Sequence, residues 1–410
     1  MKRLPAYSLA IAMAGVQGLA FTTVVTTNLV YQVETVGLNA LQLVLVGTLL
    51  EATTLAFEVP TGVVADVYSR RLSILVGFAL MGAGFVVEGA IPLFAGVLAA
   101  QVVWGLGFTF ISGATTAWIA DEVGQERLSE ALLRGTQAYL IGGLVGISLA
   151  VALSSVSRAL PVVVGGAMFV GLAAFLAFTM PERGFTRVPA HRRQTFKTMG
   201  ATLRTALRLV RGQRTLLLVV AVPFLFGASS EIPDRLVTPF LLETITLPPL
   251  GPLDPVAWFG LSGYVGRGLS LAATEVARRK FDTSNDRVTS LVLVAAQATY
   301  IGSLVAFALA TNLGLALAML WLRGPLFAVS GPLLSVLQNR VIPSRVRATM
   351  LSVGAQANAA GQLIAGPALG AVALGISLRA GFLGSALVLA PVVVILLILS
   401  RQRAAAPDDD

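Results

Sequence analysis

The chain has 410 residues, of which 56% are hydrophobic and only 12% charged, about half the charged share of an ordinary soluble protein. It has no cysteine and one histidine, His191, which excludes a disulfide framework, a thiolate centre and a histidine-rich metal site. The net charge of +9 is scattered between apolar runs, the pattern of membrane topology rather than of a nucleic-acid surface.

A helix needs about 20 mostly apolar residues to cross a bilayer, and twelve stretches qualify. The first six run from Tyr7 to Tyr31, Leu41 to Val64, Ser73 to Phe94, Ala95 to Ala120, Gly135 to Ser155 and Pro161 to Met180. The next six run from Thr215 to Leu242, Val256 to Val276, Thr289 to Ala310, Leu313 to Leu337, Met350 to Ile376 and Ala380 to Leu399. Spans three and four are divided at Ile91–Pro92, because a single helix there would be roughly twice as long as a bilayer is thick. No cleavable signal peptide is read at the N-terminus, where the apolar segment is too long for one. With the N-terminus inside and twelve crossings, most of the 29 Lys and Arg residues fall in inner loops, and the outer loops keep Arg158 and Arg379. That asymmetry places both termini in the cytoplasm. The predicted fold is an all-α membrane protein of twelve transmembrane helices in two pseudo-symmetric six-helix bundles, residues 1–180 and 215–400. A basic cytoplasmic linker, 181–214, holds a short amphipathic segment along Phe196 to Val210 that suits the inner membrane surface. A cytoplasmic tail, 401–410, closes the chain. Trp104–Asp121 can be laid on Leu322–Asn339 without gaps, so that Ser112-Gly113 falls on Ser330-Gly331. This is the position expected of a repeated six-helix unit.

After the second span comes Gly62-Val-Val-Ala-Asp66-Val-Tyr-Ser69-Arg70-Arg71. The segment resembles the signature loop of the major facilitator superfamily, Gly-x-x-x-Asp-x-x-Gly-Arg-Arg/Lys, with Ser69 in place of the last glycine. The resemblance covers essentially the whole chain and extends to bacterial drug exporters of the tetracycline-resistance-like group. The fifth span here has no Gly-Pro, and the fourth offers Gln101 and Trp104 where a basic residue is common. The resemblance implies a latch at the inner gate, with Arg70 pairing with Asp121 or Glu122. Gly62 and Asp66 share a helix face, and glycine there would admit a neighbouring helix closely.

A charge at mid-membrane costs about 2.5–3.5 kcal/mol on insertion scales, so each one calls for a partner or a role. Glu51 and Glu58 form one stripe with Gly62 and Asp66, at spacings of 7, 4 and 4 residues, and are proton-coupling candidates. Glu231 and Asp234 in span seven, around Pro233, are two more, with Arg235, Arg267 and Arg323 as charge partners. Glu88, near the outer end of span three, is read as structural. Substrate-cavity candidates are Gln17, Asn28 and Tyr31 in span one, Gln101 and Trp104 in span four, Gln137 in span five, and Gln356 and Asn358 in span eleven. Amides beside aromatic rings suit an amphipathic organic molecule.

No Gly-x-x-x-x-Gly-Lys-Ser/Thr motif occurs, so an ion gradient or the solute's own gradient must drive any transport. The sequence reading is a proton-coupled exporter working as a monomer in the lipid bilayer, with a small-molecule substrate, no cofactor, no metal, no nucleic acid and no enzymatic activity. The alternative is a proton symporter or uniporter for nutrient uptake.

Overall fold

The computed structural model describes residues 4–186, 212–250, 254–280, 286–342 and 347–404. His191 and the amphipathic segment Phe196 to Val210 lie outside the described residues. Every regular element among the described residues is helical, as a bilayer requires of backbone groups that find no water to bond. The first half contributes α1 (Ala6–Val25), α2 (Asn28–Glu34), α3 (Ala40–Val67), α4 (Arg70–Ala90), α5 (Phe94–Ile111), α6 (Ala114–Val123), α7 (Gln125–Ser154) and α8 (Leu160–Thr179). The second contributes α9 (Arg214–Arg235), α10 (Val237–Thr244), α11 (Ala257–Lys280), α12 (Asp286–Ala308), α13 (Leu313–Val341), α14 (Arg347–Gly375), α15 (Leu378–Leu389) and α16 (Pro391–Ala404). Spans one, four, seven and twelve are broken rods, α1–α2, α5–α6, α9–α10 and α15–α16, and the rest are single helices.

Eleven of the twelve spans are long and apolar enough to cross a membrane. The twelfth, α11, has the length, but its glycines, Ser262, Tyr264 and Arg267 dilute its apolar face. The division at Pro92 holds, with α4 ending at Ala90 and α5 starting at Phe94, because proline has no N–H to carry a helix onward. Span five starts earlier than hydropathy suggested, at Gln125, since a helix can run on into water where the apolar signal has stopped. Gly124, at φ 87°, makes the turn between α6 and α7 in a conformation that side chains avoid. Side-chain caps open four helices among the described residues, the first being α3, where Asn39 accepts from Gln42 N at 3.0 Å. Ser69 accepts from Leu72 N at 2.8 Å, Asn312 from Leu315 N at 2.9 Å, and Ser377 from Ala380 N at 3.1 Å, each satisfying a first-turn donor.

The described residues form two compact units. One is drawn from within Met1–Leu38, Leu49–Met199 and Pro249–Gly260, the other from within Asn39–Thr48, Gly200–Pro248 and Leu261–Asp410. In the first, α1 packs on α7 and α8, and α4 on α5 and α8, around the buried rings of Phe78, Phe85, Phe169 and Trp118. In the second, α9 packs on α14 and α15, and α12 on α13 and α15.

The closest helix pairs in the two units share one register. A Cβ on Gly18 would strike the Tyr139 carbonyl, and one on Gly142 the Gly15 carbonyl. In the second unit a Cβ on Gly227 would strike the Asn358 carbonyl, and one on Gly361 the Phe224 carbonyl. Phe224 and Gly227 each lie 209 residues after Gly15 and Gly18, while Asn358 and Gly361 lie 219 after Tyr139 and Gly142. The break after α1 at Thr27 recurs after α9 at Leu236, again 209 residues on. Spans one and five are thus repeated as seven and eleven, with backbone against backbone where only glycine fits.

Replacing Gly18 or Gly227 with Ala should separate the paired helices and cost about 1–3 kcal/mol. Gly171→Ala, where an added Cβ meets nothing within 4 Å, should not destabilise. Melting temperatures of the purified variants in one detergent check this; equal melting of all three would contradict the packing argument.

Candidate functional site

The loop between α3 and α4 is held by side chains and backbone of the same unit. Arg70 ion-pairs with Asp121 on α6 and donates to the Ala117 carbonyl at 2.9 Å, so of its two candidate partners it takes Asp121. Glu122 instead accepts from the backbone N–H groups of Arg183 and, at 2.7 Å, Gly184. Trp118 Nε1 donates to the Pro181 carbonyl at 2.8 Å. Ser69, which replaces the glycine of the resembled pattern, has extended backbone with φ −174°, open to any residue. Its hydroxyl caps α4 and also donates to Glu182 Oε2 at 2.7 Å, while Glu182 Oε1 accepts from Arg71 N at 2.9 Å. A carboxylate therefore sits at the positive end of α4. The Arg71 guanidinium donates to the Ala177 carbonyl. Glu182 was not read as a site residue, because nothing local in the sequence ties it to a loop more than 100 residues away.

Gly62 and Asp66 behave differently from expectation. Nothing among the described residues lies within 4 Å of a Cβ placed on Gly62, so the close helix approach expected there is not made in this structure. Asp66 is half-buried one turn later.

The four acidic candidates separate by environment. Glu58 is exposed and Glu51 half-buried on α3. Glu231, on α9, is 4% exposed and lies 3.7 Å from Arg235 Nε. Its carboxylate and the Arg235 guanidinium occupy the space where a Cβ on Gly47 would be, and Gly366 makes similar room beside its aliphatic stem. Asp234 pairs with Arg323 on α13. Arg323 also donates at 2.9 Å to the Pro233 carbonyl, which the break between α9 and α10 releases from the helical ladder. Among the described residues Arg267 joins neither acid; its guanidinium donates to the Gly263 carbonyl of its own helix, at 3.5 Å.

Three cavity candidates gather around Glu88, and one of them, Gln101, bonds its buried carboxylate. Glu88 is 0% exposed and accepts from Gln32 Nε2 at 2.7 Å and from Gln101 Nε2 at 3.3 Å. Tyr31 donates to the Glu88 carbonyl at 2.7 Å, and Trp104 Nε1 to Gln101 Oε1 at 2.9 Å. Tyr31, Gln101 and Trp104 are thereby engaged in the first unit's interior. Asn28 and Gln17 are half-buried, and the Asn28 Oδ1 is buried without a hydrogen-bond partner among the described residues. Gln137 is exposed and accepts from Arg134 at 3.3 Å. Asn358 donates to the Pro223 carbonyl at 3.0 Å and accepts from Gln362 at 2.8 Å. Gln356 is half-buried.

Outside the spans, Arg158 joins two acids, Glu34 at 2.7 Å and Asp254 at 3.1 Å. Burial works against its charge, but the two carboxylates outweigh that and raise its pKa. Burial likewise pushes Asp254 up, yet the Val256 N–H and the Arg158 guanidinium hold it below its usual value of 3.8. No group of three or more metal-ligating side chains occurs among the described residues.

The model of the Major Facilitator Superfamily matches residues 6–366. The uncharacterized MFS-type transporter YxaM of Bacillus subtilis (strain 168) is 23% identical over 364 residues, covering 86% of each chain. Among solved structures, the nucleoside transporter NupG aligns over 97% of this chain and 99% of its own with a TM-score of 0.72 at 13% identity. A POT family transporter in complex with 5-aminolevulinic acid aligns over 97% and 96% with a TM-score of 0.70 at 12% identity.

Two outcomes follow from this geometry. Ser69→Ala should cost about 1 kcal/mol and Glu182→Ala about 1.5–3 kcal/mol, while the double variant should cost less than their sum because the two share a bond; thermal unfolding of the three variants measures the coupling. Because Asp254 is depressed, its contribution to stability is complete above about pH 4 and is lost as pH falls through its lower folded value. An acid titration of melting temperature should show that loss in the parent and not in Asp254→Asn.

Proposed function

This chain belongs to the Major Facilitator Superfamily and is a multi-pass membrane transporter of that type, not an enzyme, and from that premise we propose that it exports small amphipathic organic compounds in exchange for protons. Transport in this reading proceeds by alternating access, with halves 1–180 and 215–400, both termini in the cytoplasm and the chain acting as a monomer. The observation that carries proton coupling is Glu231, a nearly enclosed carboxylate paired with Arg235 inside a membrane span. An ion pair of this kind is kept only while both members are charged. Protonating Glu231 neutralises one member and frees the Arg235 guanidinium. Deprotonation restores the pair, so occupancy of one oxygen by a proton sets which arrangement of α9 is favoured. Arg323 bracing the broken end of α9 through Pro233 gives that helix a fixed point about which to shift.

The energetics are adequate for useful work. A potential of about 100 mV supplies about 2.3 kcal/mol per proton, which sustains a gradient of roughly 50-fold in a neutral solute. Arg70, Asp121 and Glu182 belong to the latch in this reading, since they fix the loop that the family signature occupies.

The test is flux in sealed vesicles carrying the purified protein, loaded with a panel of amphipathic dyes that includes ethidium, under an imposed pH gradient. Parent protein should move dye against protons. Glu231→Gln should lose gradient-driven flux by at least tenfold while retaining dye-for-dye exchange, because a neutral amide holds the protonated-like state. Dye entry together with protons would favour the uptake alternative, and undiminished gradient-driven flux in Glu231→Gln would remove the coupling assignment.

A further inference from the structure

The second unit contains a cavity of about 250 Å³ formed within that unit by α9, α12, α13, α14 and α16. Its walls are apolar and aromatic, with Phe226 and Phe327 in contact as a tilted pair, ring centroids 6.3 Å apart and planes 53° from parallel. No charged side chain lines it. The polar groups on its wall are Gln297, Ser330 and Asn358. Asn358 is already bonded to Pro223 and Gln362. Gln297 is different: it is 2% exposed, and its Nε2 has no hydrogen-bond partner among the described residues. A buried donor left unmade is costly, and native structures rarely keep one without a use.

The first unit gives the contrast. Its corresponding helices α4, α5 and α8 bring Phe78, Phe85, Trp104 and Phe169 into ring contacts of 5.3–6.0 Å. The fold therefore can fill space between these helices with aromatic side chains. In the second unit a volume is left open beside an unanswered amide.

We propose that this cavity is a binding site for a neutral, two-ring organic molecule bearing one hydrogen-bond acceptor oxygen, which Gln297 Nε2 engages while the tilted Phe226–Phe327 pair forms an aromatic wall beside it. Size supports two rings, since an apolar cavity of about 150 Å³ in an unrelated protein holds one benzene. Neutrality follows from the uncharged wall, where an ion would be uncompensated. The acceptor follows from the orphaned amide donor. This site goes beyond the transport reading and does not depend on it.

Coumarin has two fused rings and a lactone oxygen; naphthalene has two rings and no acceptor. Equilibrium dialysis against the purified protein in detergent, with empty micelles subtracted, reads their binding with no gradient present. Coumarin should bind saturably at one site per chain and about tenfold more tightly than naphthalene, equivalent to about 1.4 kcal/mol. Gln297→Leu should erase that preference while leaving naphthalene binding in place. Gly331→Leu should abolish both, because Gly331 lines the cavity and an added Cβ there meets nothing within 4 Å among the described residues, so the wall has room for a larger side chain. Circular dichroism and melting temperature confirm that each variant is folded. The proposal is overturned if the folded parent binds coumarin only in proportion to detergent, as it would if water alone fills the space. It is equally overturned if the coumarin preference survives Gln297→Leu or if binding survives Gly331→Leu.

Discussion

Backbone contact between glycine-bearing helices is the constraint on which the remaining architecture rests. In lipid, helices gain nothing from hiding apolar surface from one another, so association must come from close packing and hydrogen bonds. Gly18 and Gly142 supply that in one unit, and Gly227 and Gly361 in the other. With the backbones so close, side chains flanking the contact have fixed heights. That is why Asn358 reaches the Pro223 carbonyl, and why Glu231 and Gly366 lie side by side.

The charged groups follow from the same rigidity. Three carboxylates described above meet donors at defined positions: Glu88, buried between two glutamine amides, Glu231, buried beside Arg235, and Glu182, half-buried at the head of α4. The three are held differently, by neutral amides, by an arginine and by a backbone N–H at a helix start. Only the arginine-paired arrangement inside a span changes its partner's freedom when a proton arrives, which is why the coupling role is assigned there.

Much of the fold was legible from hydropathy and charge. The apolar runs and Pro92 contain the helix order. The Arg70–Asp121 pair was legible as one of two options, and the acid–base association of span seven was legible from residue spacing. What escaped was of two kinds. Long-range partners such as Glu182, Gln32 and Asp254 carry no local signal, because their meaning depends on which helices become neighbours. Facing was also beyond a one-dimensional reading. The stripe containing Glu58 has the right period, yet period alone does not say which side of α3 looks inward, and Tyr31, Gln101 and Trp104 are as polar on a core face as they would be on a cavity wall. The repeat was sought through side-chain identity in spans four and ten, whereas its strongest trace is a pattern of missing side chains in spans one, five, seven and eleven.

The two registers of that repeat differ by ten residues, 209 for spans one and seven and 219 for spans five and eleven. The difference falls largely in one connection, because α2 and α3 are joined across Thr35–Asn39 while their counterparts α10 and α11 are separated by residues 245–256. Asp254, the second acid on Arg158, belongs to that longer stretch. The shorter connection of the first half holds no residue at a matching position, so the Arg158–Asp254 link is a bond that the repeat does not duplicate.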